Sequence, residues 1–250
     1  MTIVMAEPAT TPDFSSPPPH GVALYVHQAP VVDGKLDEKE WTKAPALDFP
    51  QALADATTKP PCTVRFLWTE EGVYVGFRTT DTTPVYGHIK PGDPIYPEDS
   101  FEVFIDQIGD HLQFYEIQAD PAGQTFFKNY VLTAPPRLTA EKRFTPEFAQ
   151  SELWRYEIPM PEGFEIASNL DPQTHIWSLE MFLPKSFVNR RRGGGQAMAP
   201  CTWRLNLVRH DWDLPKDAPG RKAKFMYWAP VLEGNPHNSP TAMGYLELKK

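Results

Sequence analysis

The 28 prolines in this chain of 250 residues restrict its fold more than any other feature of the sequence. Proline lacks the backbone N–H donor, so it is excluded from helix interiors and from central strands. Short candidate strands separated by Pro- and Gly-rich turns recur along the chain, and sustained helical periodicity is nearly absent. The aromatic content of 12% also suits strands. We therefore predict an all-β fold, either a sandwich or a barrel.

The first 20 residues differ in composition from the rest of the chain. They are rich in Pro, Ser and Thr, which predicts a flexible leader, whereas residues 21–250 are predicted to form a single domain with its own core. The segment 1–6 has neither the basic start nor the apolar length of a signal peptide. A cytoplasmic location therefore stays among the alternatives.

The charge and the cysteine content exclude some classes of function. A net charge of −8 disfavours binding to nucleic acid and to anionic membranes, because both require a basic surface. No stretch approaches the roughly 18 apolar residues of a membrane span. Cys62 and Cys201 are either one disulfide or two buried thiols, and neither has metal-ligand spacing to a partner.

A loop that runs into a strand near the middle of the chain carries the most chemistry. Phe101, Val103 and Ile105 are expected to face a core, because they alternate with a second set of residues, Ser100, Glu102, Phe104 and Asp106. Glu102 and Asp106 then share the opposite face of the strand. Two interpretations are open, a solvated strand face or a face on which a sugar, a metal or a partner docks.

Local patterns predict further elements. The stretch 36–41 is predicted to be one helical turn capped by Asp37, with Trp41 buried. A hairpin is predicted at residues 70–72. Trp68, Trp177 and Trp203 are expected in the core together with Trp41. The basic run 190–192 before three glycines is interpreted as a solvated flexible loop, with phosphate contact as the alternative.

The segment Val32–Trp41, with the sequence VDGKLDEKEW, resembles the opening of family 9 carbohydrate-binding modules and their relatives in the DOMON-like superfamily. Later landmarks follow in the family's order over roughly residues 30–248. They are the hairpin 64–77, the strand segment 98–106, the segments 115–123, 177–184 and 203–209, and the closing stretch 228–246. The resemblance implies a jelly-roll-like β-sandwich that binds sugar, is secreted or periplasmic, and is associated with polysaccharide-degrading enzymes such as xylanases.

In that family two tryptophans clamp a sugar ring while a glutamate and an arginine bond its hydroxyls. The resemblance places the clamp at Tyr96 and His237, the glutamate at Glu102 and the arginine near Gln118. Aromatic rings stack on the apolar C–H faces of sugars, and carboxylates accept hydroxyl hydrogen bonds. Trp212, in a polar loop, is either an exposed stacking ring or a rim-packing side chain.

Family modules also carry structural calcium, which takes several oxygen ligands. The resemblance makes Asp81, Asp99 and Asp106 the candidate ligands. No EF-hand spacing is present, so the ligand set is an expectation from the family alone.

Two other functions are weighed against sugar binding. A glycoside hydrolase would use Glu102 and Asp106, but their Cα atoms are about 13 Å apart on one strand. Hydrolases separate their carboxyl groups by roughly 5–10 Å. Haem binding, known for some DOMON-like domains, would use His237 with Met243, or His210 with Met226. We expect neither activity, and we expect no nucleic acid as a partner.

Overall fold

Strands organise the part of the chain that this computed structural model describes, which is residues 17–49, 51–53, 62–132, 153–156, 160–193, 196–231 and 236–250. The strands are β1 His20–Tyr25, β2 Leu47–Asp48, β3 Gln51–Leu53, β4 Thr63–Thr69, β5 Gly72–Thr80, β6 Ser100–Asp106, β7 Gln113–Ala119, β8 Thr125–Leu132, β9 Leu153–Tyr156, β10 Glu165–Asp171, β11 Ile176–Pro184, β12 Thr202–Trp212, β13 Ala223–Tyr227 and β14 Gly244–Lys249. The helices are α1 Lys39–Lys43 and α2 Lys185–Val188, and short 3₁₀ turns span Arg190–Arg192, Pro236–Asn238 and Pro240–Ala242. Most of the predicted leader, residues 1–16, lies outside the described residues.

The strands form one continuous sheet in the order β10-β11-β5-β4-β1-β14-β12-β6-β7-β8-β9, with β2, β3 and β13 attached at its sides. β1 pairs in parallel with β4 and with β14, which brings the start and the end of the domain together. The other described pairs are antiparallel. The sheet curls, so its first half (β10, β11, β5, β4) faces its second half (β12, β6, β7, β8).

The main core lies between these two halves. Phe77 of β5 stacks on Phe101 of β6 with 4.3 Å between ring centroids. Val103 and Ile105 are fully buried in the same cluster, as the alternation in β6 predicts. The four tryptophans expected in the interior are buried: Trp41, Trp68, Trp177 and Trp203. The predicted all-β sandwich is therefore the observed architecture.

The predicted hairpin is present, because β4 and β5 join through Glu70 and Glu71, with Thr69 opposite Gly72. Gly72 is required there, since a Cβ atom would lie 2.2 Å from the carbonyl oxygen of Leu183. Cys62 and Cys201 are free thiols rather than a disulfide. None of the described helices is long and apolar enough to cross a membrane.

The prediction that Asp37 caps the first helix is wrong. Leu36 has a φ of 56°, so the backbone is left-handed there and helix α1 begins only at Lys39. Glu38 takes the N-cap position but makes no side-chain cap, because its carboxylate accepts the N–H of Val31 at 2.8 Å instead. The segment is shaped by contacts outside the helix rather than by its own capping.

Candidate functional site

Polar side chains gather on the face of β6, β7 and β12 that points away from the main core. Glu102 of β6 lies opposite Gln118 of β7 and Val208 of β12. Glu116 is two residues before Gln118 on the same face, and His210 is two residues after Val208. We call this set, Glu102, Glu116, Gln118 and His210, the polar face. All four side chains are less than 10% exposed.

Glu102 is the least satisfied carboxylate of the polar face. His210 Nδ1 lies 3.1 Å from its Oε1 atom, close enough for an ion pair, but the buried Oε1 atom makes no hydrogen bond of good geometry. The imidazole nitrogen is shared with the hydroxyl of Ser100 at 3.2 Å. Burial raises the pKa of Glu102, and His210 opposes that shift.

Glu116 is saturated with donors. Its Oε2 atom accepts from the Tyr130 hydroxyl at 2.5 Å and lies 3.1 Å from His237 Nε2, and its Oε1 atom accepts from Gln118 Nε2 at 2.7 Å. Burial acts to raise the pKa of Glu116, but His237, Tyr130 and Gln118 outweigh burial and lower it. Sequence reasoning missed this residue, although the alternation of Glu116 with Gln118 in a strand was a signal for it.

Gln118 links the polar face to the loop that carries Tyr96. Its Oε1 atom accepts the backbone N–H groups of Ile95 at 2.5 Å and Tyr96 at 3.2 Å. Since its amide nitrogen donates to Glu116, both ends of the Gln118 side chain are engaged. Gln118 is therefore placed to position the loop rather than to contact a ligand directly.

The Tyr96 ring is 50% exposed and makes an edge contact with the ring of His210, with 6.1 Å between centroids. Trp212 supports this loop from behind, because its Nε1 atom donates to the carbonyl oxygen of Tyr96 at 2.9 Å. Arg221 covers the indole of Trp212 at 3.5 Å and also donates to the carbonyl oxygen of Pro97. Of the two interpretations of Trp212, this geometry favours rim packing.

His237 occupies the other side of the polar face. Its ring packs against Phe104 at 5.2 Å and against Tyr130 at 4.6 Å between centroids, and the side chain is 20% exposed. The structure thus brings Tyr96, Glu102, Gln118 and His237 to one face.

The predicted calcium ligands do not come together as a set. Asp81 and Asp99 meet, but their third partner is Asp211, with ligand atoms within 4.8 Å of one another. Asp106 lies at the opposite end of β6, where it accepts the backbone N–H groups of residues 108, 109 and 111. A catalytic pair of Glu102 and Asp106 is also disfavoured, because the carboxylate of Asp106 is engaged by these backbone N–H groups.

The guanidinium group of Arg209 already lies among the carboxylates of the aspartate cluster. Arg209 Nη2 lies 2.7 Å from Asp81 Oδ2, and the guanidinium is 3.5 Å from both Asp99 and Asp211. Both oxygens of Asp99 also accept backbone N–H groups, from Val85 and Trp212 at 2.7 Å. Calcium needs six to eight free oxygen ligands. The cluster of Asp81, Asp99 and Asp211 therefore does not fit a calcium ion.

The remaining candidate sites are used structurally. Arg191 forms a bidentate pair with Asp110, and Arg192 donates to the carbonyl oxygen of Gln107, so the basic run is tied to the fold. His210 and Met226 point to opposite faces of the sheet and cannot ligate one haem. Met243 is fully buried in a side cluster with Phe104 and Val208.

Residues 32–133 match the family model described as carbohydrate family 9 binding domain-like. The chain is similar to family 9 carbohydrate-binding modules. Two solved structures of a family 9 module from Caldicellulosiruptor kristjanssonii share its fold. The cellotriose complex has a TM-score of 0.62 at 14% identity, covering 92% of this chain and 94% of that chain. The glucose complex has a TM-score of 0.61 at 15% identity, covering 92% and 96%.

A curated relative has a clearer sequence match over a shorter stretch. The chain is 32% identical over 100 residues to the exoglucanase XynX of Acetivibrio thermocellus. That stretch is 39% of this chain and 8% of the exoglucanase, so the chain spans only a small part of that relative. Together, the family match and the two structures confirm the predicted resemblance and the β-sandwich fold.

Proposed function

We propose that this protein binds carbohydrate without hydrolysing it, and that the polar face is the binding site. The observation that carries the proposal is the half-exposed Tyr96 ring in edge contact with His210, whose Nδ1 atom lies 3.1 Å from Glu102 Oε1, a buried oxygen without a hydrogen bond of good geometry. A sugar ring needs both an aromatic surface for its C–H groups and an acceptor for its hydroxyls. An unbonded buried carboxylate oxygen is costly, and a sugar hydroxyl would satisfy it.

Access to Glu102 requires a side-chain movement, because Glu102 is 1% exposed, and we propose that Tyr96 is the side chain that moves. The Tyr96 loop is held through its backbone, by Gln118 on the N–H and by Trp212 on the carbonyl oxygen. The ring itself makes only an edge contact with His210. In our proposal the ring swings outward on a fixed loop and then stacks on the sugar, with His237 on the other side.

The ligand class proposed here is a neutral oligosaccharide or polysaccharide of the plant cell wall, bound outside the cell. The support is the 32% identical segment in an exoglucanase and the family match over residues 32–133. Compartment and glycan are both proposals drawn from these similarities.

One feature of the polar face favours a second candidate, a glycoside hydrolase. The pKa of Glu102 is raised and that of Glu116 is lowered, which is the pattern of an acid and base pair. Against it, the oxygens of Glu116 are engaged by Tyr130, His237 and Gln118, which leaves it poorly placed to attack or to activate water. A reducing-sugar assay on cellobiose and xylobiose is expected to show no increase in the number of reducing ends.

Isothermal titration with glucose, cellobiose, xylobiose and their reduced alditols tests the binding proposal. Glu102→Gln keeps the shape but removes the carboxylate charge, and we expect affinity to fall by about tenfold or more, because a hydrogen bond to a charged group is lost. Glu247→Gln, on the exposed side of β14, is the matched control and should bind like the parent chain. Equal affinity in the parent and Glu102→Gln proteins would reject the site, and silence across the sugar panel would reject the function.

A further inference from the structure

A pocket lies on the opposite half of the sandwich, far from the polar face in the strand order. It occupies about 230 Å³ on the outer face of β4 and β5, beneath the segment that leads into α1. Its lining combines guanidinium groups, hydroxyls and one apolar wall: Leu36, Trp41, Thr42, Thr63, Arg65, Gly76 and Arg78. None of the sequence motifs discussed above assigns a ligand to it.

Two arginines dominate the charge of this pocket. Arg65 lies opposite Gly76, and Arg78 lies opposite Thr63, so the two arginines are diagonal neighbours on one face of the sheet. Arg65 is oriented by a hydrogen bond from its Nε atom to the carbonyl oxygen of Ala44 at 3.3 Å. The guanidinium of Arg78 is exposed and makes no ion pair or hydrogen bond with any residue that the structure describes.

Among the residues that the structure describes, no carboxylate forms an ion pair with Arg65 or Arg78. No carboxylate is among the described residues that line the pocket. Asp48 is on the same face opposite Thr63, but among the described residues it forms no ion pair with either arginine. Glu180, on the adjacent strand, already accepts three N–H groups from the segment above, at 2.7–2.9 Å. Two neighbouring guanidinium groups in a chain of net charge −8 therefore favour an anionic ligand.

The walls of the pocket indicate the shape of that ligand. Gly76 lets Leu36 and Trp41 pack directly on the sheet, because a Cβ atom there would lie 2.4 Å from Leu36 and 2.9 Å from the Trp41 ring. Leu36 and the Trp41 edge supply an apolar surface, and Thr63 and Thr42 supply hydroxyl oxygens, although Thr42 donates its own proton to the carbonyl oxygen of Lys39 at 2.7 Å. Guanidinium groups bind carboxylates in a bidentate fork, while hydroxyls and an apolar wall suit a sugar ring.

We propose that this pocket binds the carboxylate of an acidic sugar, a uronic acid residue, with Arg65 and Arg78 holding the carboxylate and the two threonines bonding ring hydroxyls. The site is independent of the polar face and does not rest on the function proposed for it. Through this pocket the protein would recognise an acidic sugar in addition to any neutral sugar that binds at the polar face.

Titration of the full chain with glucuronate at low ionic strength is the test, with glucose as the neutral analogue and inorganic phosphate as a second anion. We expect glucuronate to bind, excess glucose not to displace it, and phosphate to bind at least about tenfold more weakly. Arg78→Gln should lower glucuronate affinity by about tenfold or more, since Arg78 makes no described contact whose loss would disturb the fold.

Arg190→Gln is the control of equal charge change, because Arg190 is an exposed arginine away from the pocket. Glu102→Gln should leave glucuronate binding unchanged, which separates this site from the polar face. Unchanged affinity in Arg78→Gln, or displacement by glucose, would overturn the proposal. Phosphate binding as tight as glucuronate would also overturn it, by showing a general anion site instead of a sugar site.

Discussion

At the scale of single residues, the side chain of Gln118 ties the polar face to the loop that carries Tyr96. It accepts two backbone N–H groups of the Tyr96 loop and donates to Glu116. Family resemblance placed a ligand-contacting arginine near this position. The neutral amide found here suits two N–H donors, whereas a guanidinium has no acceptor to offer them.

We expect Gln118→Ala to weaken sugar binding at the polar face by about tenfold, because the loop loses the acceptor that holds the backbone of Tyr96 in place. Isothermal titration measures the change. Gln113→Ala is the control on the same strand, since Gln113 bonds Tyr115 and Asn129 and does not reach the loop. An equal loss in both variants would show that Gln118 acts through general stability and not through Tyr96.

At the scale of elements, hydrogen bonds hold the opening segment Val32–Trp41 against strand β11. Glu180 of β11 accepts the N–H groups of Asp33 and Gly34 and the indole N–H of Trp41. Ser178 donates to the carbonyl oxygen of Gly34 at 2.6 Å. The most recognisable motif of the sequence therefore closes the outer face of β5 and β11 and does not enter the polar face.

Glu180→Gln should destabilise the protein by about 2–4 kcal/mol, because an amide group cannot accept all three hydrogen bonds and leaves at least one buried N–H unpaired. Urea denaturation monitored by tryptophan fluorescence measures the change. Glu165→Gln on neighbouring β10 is exposed and should change stability by less than about 0.5 kcal/mol. If Glu180→Gln loses no more free energy of unfolding than this control, the hydrogen bonds of Glu180 do not stabilise the fold.

At the scale of the whole molecule, the aspartate cluster joins the two halves of the sandwich. Asp81 follows β5 of the first half, and Asp99 precedes β6 of the second half. Arg209 bonds Asp81 from β12 and lies over the ring of Trp177, with 4.9 Å to its centroid. Burial raises the pKa of Asp99 to about 8, although Arg209 acts to lower it.

This raised pKa makes stability depend on pH. The folded protein holds a proton on Asp99 that the unfolded chain releases above about pH 4. The stability that this proton contributes is therefore fully present at acid pH and is lost as the pH rises toward 8. The free energy of unfolding falls by at most about 1.4 kcal/mol per pH unit over this interval. Burial also raises the pKa of Asp211, which acts in the same direction.

We expect Asp99→Asn to flatten this part of the stability profile, measured as the free energy of unfolding in urea between about pH 5 and pH 8. Asp217→Asn, in an exposed loop, should keep the slope of the parent chain. A parent protein whose stability rises over this interval, or an unchanged slope in Asp99→Asn, would show that Asp99 ionises normally in the fold.

The sequence by itself determined the all-β class, the hairpin at Gly72, the core face of β6 and the buried tryptophans. Each of these follows from alternation or turn chemistry within a few neighbouring residues. Only the tertiary structure decided which carboxylates meet. Asp81 and Arg209 are 128 residues apart in the chain, and Glu116 and His237 are 121 apart. Such contacts depend on strand order and register, which local patterns do not encode, so Asp211 replaced Asp106 in the aspartate cluster and Glu116 joined the polar face.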